Sequence, residues 1–382
     1  MRTAGPRGSQ AVGQVELHLT AQSPSQPRGT AAPLPVLDQR ARGTKFIELS
    51  VRSVLNTPAS THMGFWSINP YVGCEFGCTY CYARDTHRWV MERADGRTVG
   101  RAGVALPGTT DRLTDRPPDR LPPWEAFEKE ILVKSDVAEV LSRTLIPARV
   151  AGQSLVIGTA TDPYQPAERQ FRLTRRILEV LRGYHGLTIE IITKSPLVTR
   201  DLDLLQALSQ RNEVSINISL ATADPRLARR LELRSPVPAA RLRALRRLTA
   251  GGIDAGLIIA PIIPGITDDW AGLARLMEAA KEAGARYVIG SALRLGPAAR
   301  RRFLPVLERE FPELYERYRR HYASSDLASR VYQDALTRRL NALRQAFGFA
   351  GDEASSRRRR RLEESARSGH AARQSDEQAV LI

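Results

Sequence analysis

The sequence predicts an α/β fold built on a parallel sheet. Two observations point there: short β-prone runs alternate with amphipathic stretches through the middle of the 382-residue chain, and such strict alternation calls for right-handed crossovers between parallel strands. A third observation adds a site to the fold. All three cysteines, Cys74, Cys78 and Cys81, fall in one short segment directly after the first predicted strand.

The predicted strands run over 67–72, 154–159, 187–193, 214–220, 255–260 and 286–291, and the predicted helices over 168–182, 201–209, 238–250 and 269–283. A seventh short strand at 131–134, followed by a helix to Leu145, is expected at the edge of the sheet. In the strand at 214–220 a period of two puts Ser215, Asn217 and Ser219 on one face and Val214, Ile216, Ile218 and Leu220 on the other. A polar face inside a curled sheet suits a ligand cavity; an edge strand with that face in water is the alternative. Thr188, Glu190 and Lys194 likewise share one face.

Residues 1–42 are rich in Pro, Gly, Gln and Ser and lack hydrophobic periodicity, so they are expected to be disordered, as is the basic tail 351–382 with its run Arg357 to Arg361. A Pro/Gly-rich stretch at about 95–123 exceeds an ordinary connection and reads as a lid or a disordered insertion. The expected organisation is a core over 43–296 and a helical extension over 297–350. In that extension Phe311, Leu314, Tyr315, Tyr318 and Tyr322 form one helical stripe, favouring core contact, although the interleaved Arg317, Arg319 and Arg320 also allow a stacking and phosphate surface.

The formal net charge is +16. Five Arg against Glu16 and Asp38 give the first 42 residues +3, and seven Arg against six acids give the last 32 residues +1, leaving +12 for the body. A body that basic attracts polyanions, with DNA the first candidate; charges spread over solvated helix faces are the alternative. The longest apolar run, Ile253 to Ile263, is too short to span a bilayer and contains Pro261, and residues 1–20 lack an apolar signal core. A cytoplasmic location without membrane contact is therefore expected.

The cysteine spacing is CxxxCxxC. Three thiolates on one loop can hold three irons of a cubane cluster and leave the fourth iron open, whereas a closed zinc site needs four protein ligands. A zinc site completed by His87 or His62 is the competing assignment, and would make the chain a zinc-stabilised nucleic-acid-binding protein without catalysis. A disulfide would leave one cysteine unpaired.

This motif, with Tyr80 just before the last cysteine, resembles the signature of the radical S-adenosylmethionine (radical SAM) enzymes. Asn69-Pro70-Tyr71, the segment from Gly158 to Glu168 (GTATDPYQPAE) and Thr193-Lys194 extend the likeness to the subgroup of spore photoproduct lyase and DNA repair photolyase-like proteins. The resemblance implies an open partial (β/α)6 TIM-like barrel, a [4Fe-4S] cluster on Cys74, Cys78 and Cys81, and S-adenosyl-L-methionine (AdoMet) chelated by the open iron. It also implies an electron donor such as a flavodoxin or ferredoxin, and reductive cleavage of AdoMet to a 5′-deoxyadenosyl radical that abstracts a substrate hydrogen.

Further roles follow from that likeness. Tyr80 is expected near the adenine, together with the strand-and-turn segment 255–268 and with Gly290 to Ala292. Asp162 suits the AdoMet ammonium or ribose, with a helix-capping role as its alternative. Lys194 suits the carboxylate, with plain solvent exposure as its alternative, and Ser219 or Ser215 suits the methionine end. Glu232 and Arg234 also match a family pattern, or else form a surface ion pair. Spore photoproduct lyase is understood to return a hydrogen atom from an additional cysteine. This chain has none. Tyr164 is therefore the expected hydrogen-atom donor, with a structural ring as its alternative. The first expected activity is a DNA-lesion lyase; modification of a protein, an RNA or a small molecule is the second.

Overall fold

The computed structural model describes residues 36–39, 43–61, 64–87 and 121–349. Nearly all of the expected tails and of the 95–123 insertion lie outside these residues. One correction falls inside the first tail: Val36–Gln39 is a strand, β1, paired antiparallel with β2 (Lys45–Glu48).

The larger sheet has seven strands. Six are parallel and follow the predicted order: β4 (Trp66–Ile68), β7 (Ser154–Ile157), β8 (Thr188–Thr193), β9 (Glu213–Ser219), β10 (Asp254–Ile262) and β11 (Val288–Ala292). Here β3 (Leu55–Asn56), β5 (Tyr71–Val72) and β6 (Glu130–Val133) complete the count in chain order. β3 pairs antiparallel with β4 and forms one edge, while β11 forms the other. The sheet is thus an open six-unit partial barrel with crossover helices between its strands, such as Pro238–Ala250 and Trp270–Glu282.

The strands read as they do because their outer faces are apolar. Val214, Ile216, Ile218 and Leu220 join the main core with helix residues such as Leu205, Leu208, Leu245 and Leu248, which leaves Ser215, Asn217 and Ser219 on the inner face of β9.

Two expectations are corrected. The strand at 131–134 is not an edge of the barrel: β6 is an inner strand of a second sheet, ordered β1-β2-β6-β5. The strand expected over 67–72 is cut at Asn69-Pro70, its first half staying in the barrel and its second half pairing with β6. Pro70 has no N–H for a ladder. Asn69 instead uses its amide on the barrel, donating to Thr159 Oγ1 at 3.1 Å and accepting from the Ala160 N–H at 2.8 Å, while Lys134 Nζ donates to its carbonyl at 2.7 Å.

The helix expected over 168–182 is likewise two, Glu168–Phe171 and Leu173–Leu181, separated by Arg172 at φ +53°. A left-handed non-glycine residue costs about 1 kcal/mol or more. Offsetting that, the Glu168 carboxylate accepts from the Thr174 N–H at 3.0 Å and the Arg175 N–H at 3.2 Å, two otherwise orphaned donors of the second helix.

After β11 the chain is helical, over Pro297–Glu310, Pro312–Ser324 and Arg330–Ala346. Tyr318 and Tyr322 are buried, stacked on each other and packed with Phe303, so the aromatic stripe is core contact. No helix among the described residues is long and apolar enough to cross a membrane.

Candidate active site

One cavity of about 670 Å³ opens at the C-terminal ends of the parallel strands. Cys74, Cys78 and Cys81 all line it, together with Tyr80, Asp162, Lys194 and Ser219. Ends of β7 to β11 surround it, where barrel enzymes place their chemistry. Ile258, Ala260 and Pro261 from β10, Gly290 to Ala292 from β11, and Leu336 and Leu340 from the last helix make an apolar wall, the kind of surface that accepts a purine.

The loop carrying the cysteines is held by the second motif. Gln165 Oε1 accepts from the Glu75 N–H at 2.9 Å and Gln165 Nε2 donates to the Gly73 carbonyl at 3.2 Å, which Thr161 Oγ1 also reaches at 2.6 Å. Tyr71 donates to Glu168 at 2.6 Å. Gly73 sits at φ +92°, and a Cβ there would meet the Phe127 carbonyl at 2.8 Å. On the other side, Thr79 hydrogen-bonds the Leu231 carbonyl through both its N–H and its hydroxyl, each at 2.9 Å, and Cys78 bridges to Glu232. Glu128 completes the frame by binding Arg84, Arg234 at 2.7 Å and Arg302 at 3.1 Å; Arg84 and Arg234 in turn bond the carbonyls of Cys78 and Glu75.

Beside the cysteines lies a charged group with one net positive charge. Glu232, 2% exposed, pairs with Arg241, accepts from the Tyr80 hydroxyl, and lies 3.4 Å from Lys194 Nζ. Burial alone would raise its carboxyl, but Lys194 and Arg241 pull it down to about 2. The alternative weighed for it, a surface ion pair with Arg234, does not form: that side chain turns instead to Glu128. Lys194 is not plainly solvent-exposed: its Nζ donates to Ser219 Oγ at 2.7 Å and lies 5.8 Å from the centre of the Tyr80 ring. Ser219 Oγ reaches the Ala260 carbonyl at 3.2 Å, so its own hydrogen is engaged. An ammonium has three donors, which leaves Lys194 one for a ligand.

The other expected site residues fall differently. Asp162 Oδ1 accepts from Thr193 Oγ1 at 2.7 Å and the Tyr164 N–H at 2.9 Å, and Oδ2 from the Lys194 N–H at 2.7 Å. It ties the end of β8 to the turn after β7, and its carboxyl is raised, chiefly by burial. Ser215 lies four residues back along β9, about 13 Å from Ser219, opposite Glu190 and Asp254 and away from the cavity. Tyr164 is outside the cavity lining too. It is 1% exposed in the main core, with Arg200 6.0 Å from its ring centre, and burial followed by the charges of Asp201 and Glu168 raises its phenol well above the usual range. Its ring is thus part of the core and not of the cavity wall, the structural alternative weighed for it.

The donor set bears on the choice between cluster and zinc. Among the described residues, no three His, Cys, Asp or Glu side chains converge on a single ion. His87 points to the Glu130 carbonyl at 3.2 Å and the Phe127 ring; His62 lies outside the described residues. Three thiols that share a cavity without sharing a point suit a polynuclear group, with one sulfur on each iron. Burial raises all three: Cys74 well up, with Asp162 adding to it, Cys78 to about 12 with Glu232 adding, and Cys81 against the pull of Arg84. Such thiols ionise when a cation is bound.

The Radical SAM superfamily model matches residues 68–277. The chain belongs to the radical SAM superfamily. Its cofactors are accordingly a [4Fe-4S] cluster and AdoMet. Curated relatives include an uncharacterized protein of Mycobacterium tuberculosis, 32% identical over 81% of this chain and 83% of that one. A second, from Methanocaldococcus jannaschii, is 26% identical over 71% and 86%. Among solved structures, spore photoproduct lyase with a dinucleoside spore photoproduct is similar at TM-score 0.54 and 13% identity, over 84% of this chain and 85% of that one. A variant of that lyase with AdoMet and the dinucleoside bound gives 0.52 and 12%, over 79% of each chain. At such identities these structures bear on the fold.

The frame around the loop was legible only in part. Gln165 and Glu168 stood inside a quoted motif, but their role in gripping Gly73, Glu75 and Tyr71 depends on contacts across some 90 residues. Glu128 and Arg241 carried no sequence signal.

Proposed function

We propose that Cys74, Cys78 and Cys81 hold the cluster and that the protein is a hydrogen-abstracting radical SAM enzyme acting on a damaged nucleic acid. The observation that carries the site assignment is the shared cavity of the three cysteines and Lys194, whose remaining N–H suits the AdoMet carboxylate. When bound, the cofactors supply an electron to AdoMet and, from it, a 5′-deoxyadenosyl radical that takes a substrate hydrogen. Ser219 fixes the position of Lys194, Glu232 pairs with it at 3.4 Å, and Asp162 holds its backbone at the strand end. The apolar wall of β10, β11 and the last helix orients the adenosyl group and excludes water from it.

A nucleic-acid substrate is supported by the similarity in fold to spore photoproduct lyase and by the +12 charge of the body. The terminating step differs from thiol donation, since Cys74, Cys78 and Cys81 are the chain's entire cysteine complement. The test is anaerobic reconstitution with iron and sulfide, then dithionite and AdoMet. A brown protein releasing 5′-deoxyadenosine supports the enzyme; a colourless, zinc-loaded one overturns it. With DNA containing the spore photoproduct, 5′-deoxyadenosine is expected without sustained restoration of thymine, and clean repair over many turnovers would overturn the different terminating step.

A further inference from the structure

The cavity mouth serves AdoMet and substrate, so an electron for a cluster on the cysteine loop has to enter elsewhere. Outside the cavity lining, the loop packs against helix Pro225–Leu231. Leu231 is fully buried in the apolar cluster that holds Cys74, Phe76, Cys78 and Tyr80, and its carbonyl takes both hydrogen bonds of Thr79. Arg234 continues this backing, its N–H on the Phe76 carbonyl at 3.0 Å. The contact between helix and loop is direct.

The outer side of this helix lines a shallow depression of unbalanced charge. Arg226, Arg229, Arg230 and Arg309 line it with Pro225 and Leu233, and Glu310 is the one acid of the lining. Glu310 engages Arg230 at 2.7 Å and Arg309 at 2.9 Å; Arg229 reaches the Leu233 carbonyl at 2.7 Å. The lining therefore keeps three net positive charges, and the Arg230 guanidinium lies over the partly buried ring of Phe311, 4.2 Å from its centre. Arginine with partly exposed apolar and aromatic groups is the composition of a protein contact patch, and its charge steers an acidic partner.

We propose that this depression docks a low-potential one-electron carrier protein with an acidic surface, delivering its electron through helix Pro225–Leu231 to the cysteine loop. The proposal rests on the cluster assignment above. In the step one electron leaves the reduced carrier, which is oxidised by one electron, and the cluster is reduced by one; no atom or proton is transferred.

The test compares the reconstituted wild-type enzyme with the double variant Arg226→Glu/Arg229→Glu, using a reduced acidic plant-type ferredoxin as probe and dithionite as the small-molecule control. Cluster reduction is followed by absorbance and 5′-deoxyadenosine by chromatography. In the variant, ferredoxin-driven reduction is expected to fall about tenfold or more at low salt and to lose its salt dependence, while iron content, thermal unfolding and dithionite-driven cleavage match the wild type. The milder Arg226→Gln/Arg229→Gln variant should fall between the two. Equal ferredoxin rates in wild type and variant would overturn the docking site alone. Equal loss with ferredoxin and dithionite would also overturn it, by making the arginines structural. Loss of DNA binding with ferredoxin rates intact would reassign the depression to nucleic acid. Failure of the wild type to cleave AdoMet with dithionite would instead overturn the functional assignment on which the docking site depends.

Discussion

Lys194 Nζ donates to Ser219 Oγ across 2.7 Å, linking the C-terminal ends of two adjacent parallel strands. The contact fixes a cation that Glu232 only half neutralises, because Glu232 also serves Arg241. Lys194→Met is expected to weaken AdoMet binding by ten- to a hundredfold, as removal of a charge-assisted hydrogen bond costs about 1.5–3 kcal/mol. Ser219→Ala should show a smaller loss in the same direction. Both should keep wild-type iron content; calorimetric titration with AdoMet and iron analysis measure the two separately. Unaltered binding in Lys194→Met would remove the lysine from the site.

Substituting any one of Cys74, Cys78 or Cys81 by Ala is expected to abolish the brown chromophore and AdoMet cleavage together. Each sulfur serves its own iron in a three-cysteine cubane, so none is redundant. A single variant that retained a full-intensity cluster spectrum and cleavage would contradict the assignment.

Gln165 fills two valences of the cysteine loop, and with it removed the Glu75 N–H is left buried. An unsatisfied buried donor costs about 1–3 kcal/mol. Gln165→Ala should accordingly lower thermal stability and the iron retained per chain, and Gln165→Glu, which keeps the accepting Oε1 but sets a buried carboxylate oxygen against the Gly73 carbonyl, should not restore them. Wild-type stability and iron in Gln165→Ala would show that the grip is dispensable.

Lys134 provides the pH test. Burial lowers its ammonium from the usual range to about 8. The folded protein thus binds fewer protons at Lys134 than the unfolded chain between pH 8 and about 10.5. Stability contributed by this group therefore rises with pH across that window, and below pH 8 the full cost of the buried charge is present. The difference in unfolding free energy between wild type and Lys134→Met is expected to shift by roughly 2–3 kcal/mol from pH 7.5 to 10.5. A difference independent of pH would mean that Lys134 titrates normally.

Tyr164→Phe is expected to leave AdoMet cleavage and any substrate turnover at the wild-type rate, since the ring packs in the core beyond the cavity lining. A changed ratio of product to 5′-deoxyadenosine would return Tyr164 to the chemistry.

By itself the sequence determined the local terms. Period-two alternation marked the polar inner face of β9 because strand side chains must alternate, and β-branched runs marked the six parallel strands. The cysteine spacing gathered three thiols on one loop after the first strand, and the resemblance to the radical SAM signature implied the cluster for them. Tertiary structure decided what depends on partners distant in the chain. Asn69-Pro70 breaks a strand that looked continuous, because the Asn69 side chain finds Thr159 and Ala160 and Pro70 offers no donor. Ser215 and Ser219 share a face, yet only Ser219 reaches the cavity, since depth along a strand is set by where the neighbouring strands end. Tyr164 follows Asp162 by two residues but turns into the core, and Glu232 chose Arg241 over Arg234 because the helix at 238–250 brings that guanidinium to the buried carboxylate while Glu128 captures the other. Periodicity fixes which face a side chain takes; only the packed elements around it fix what that face meets.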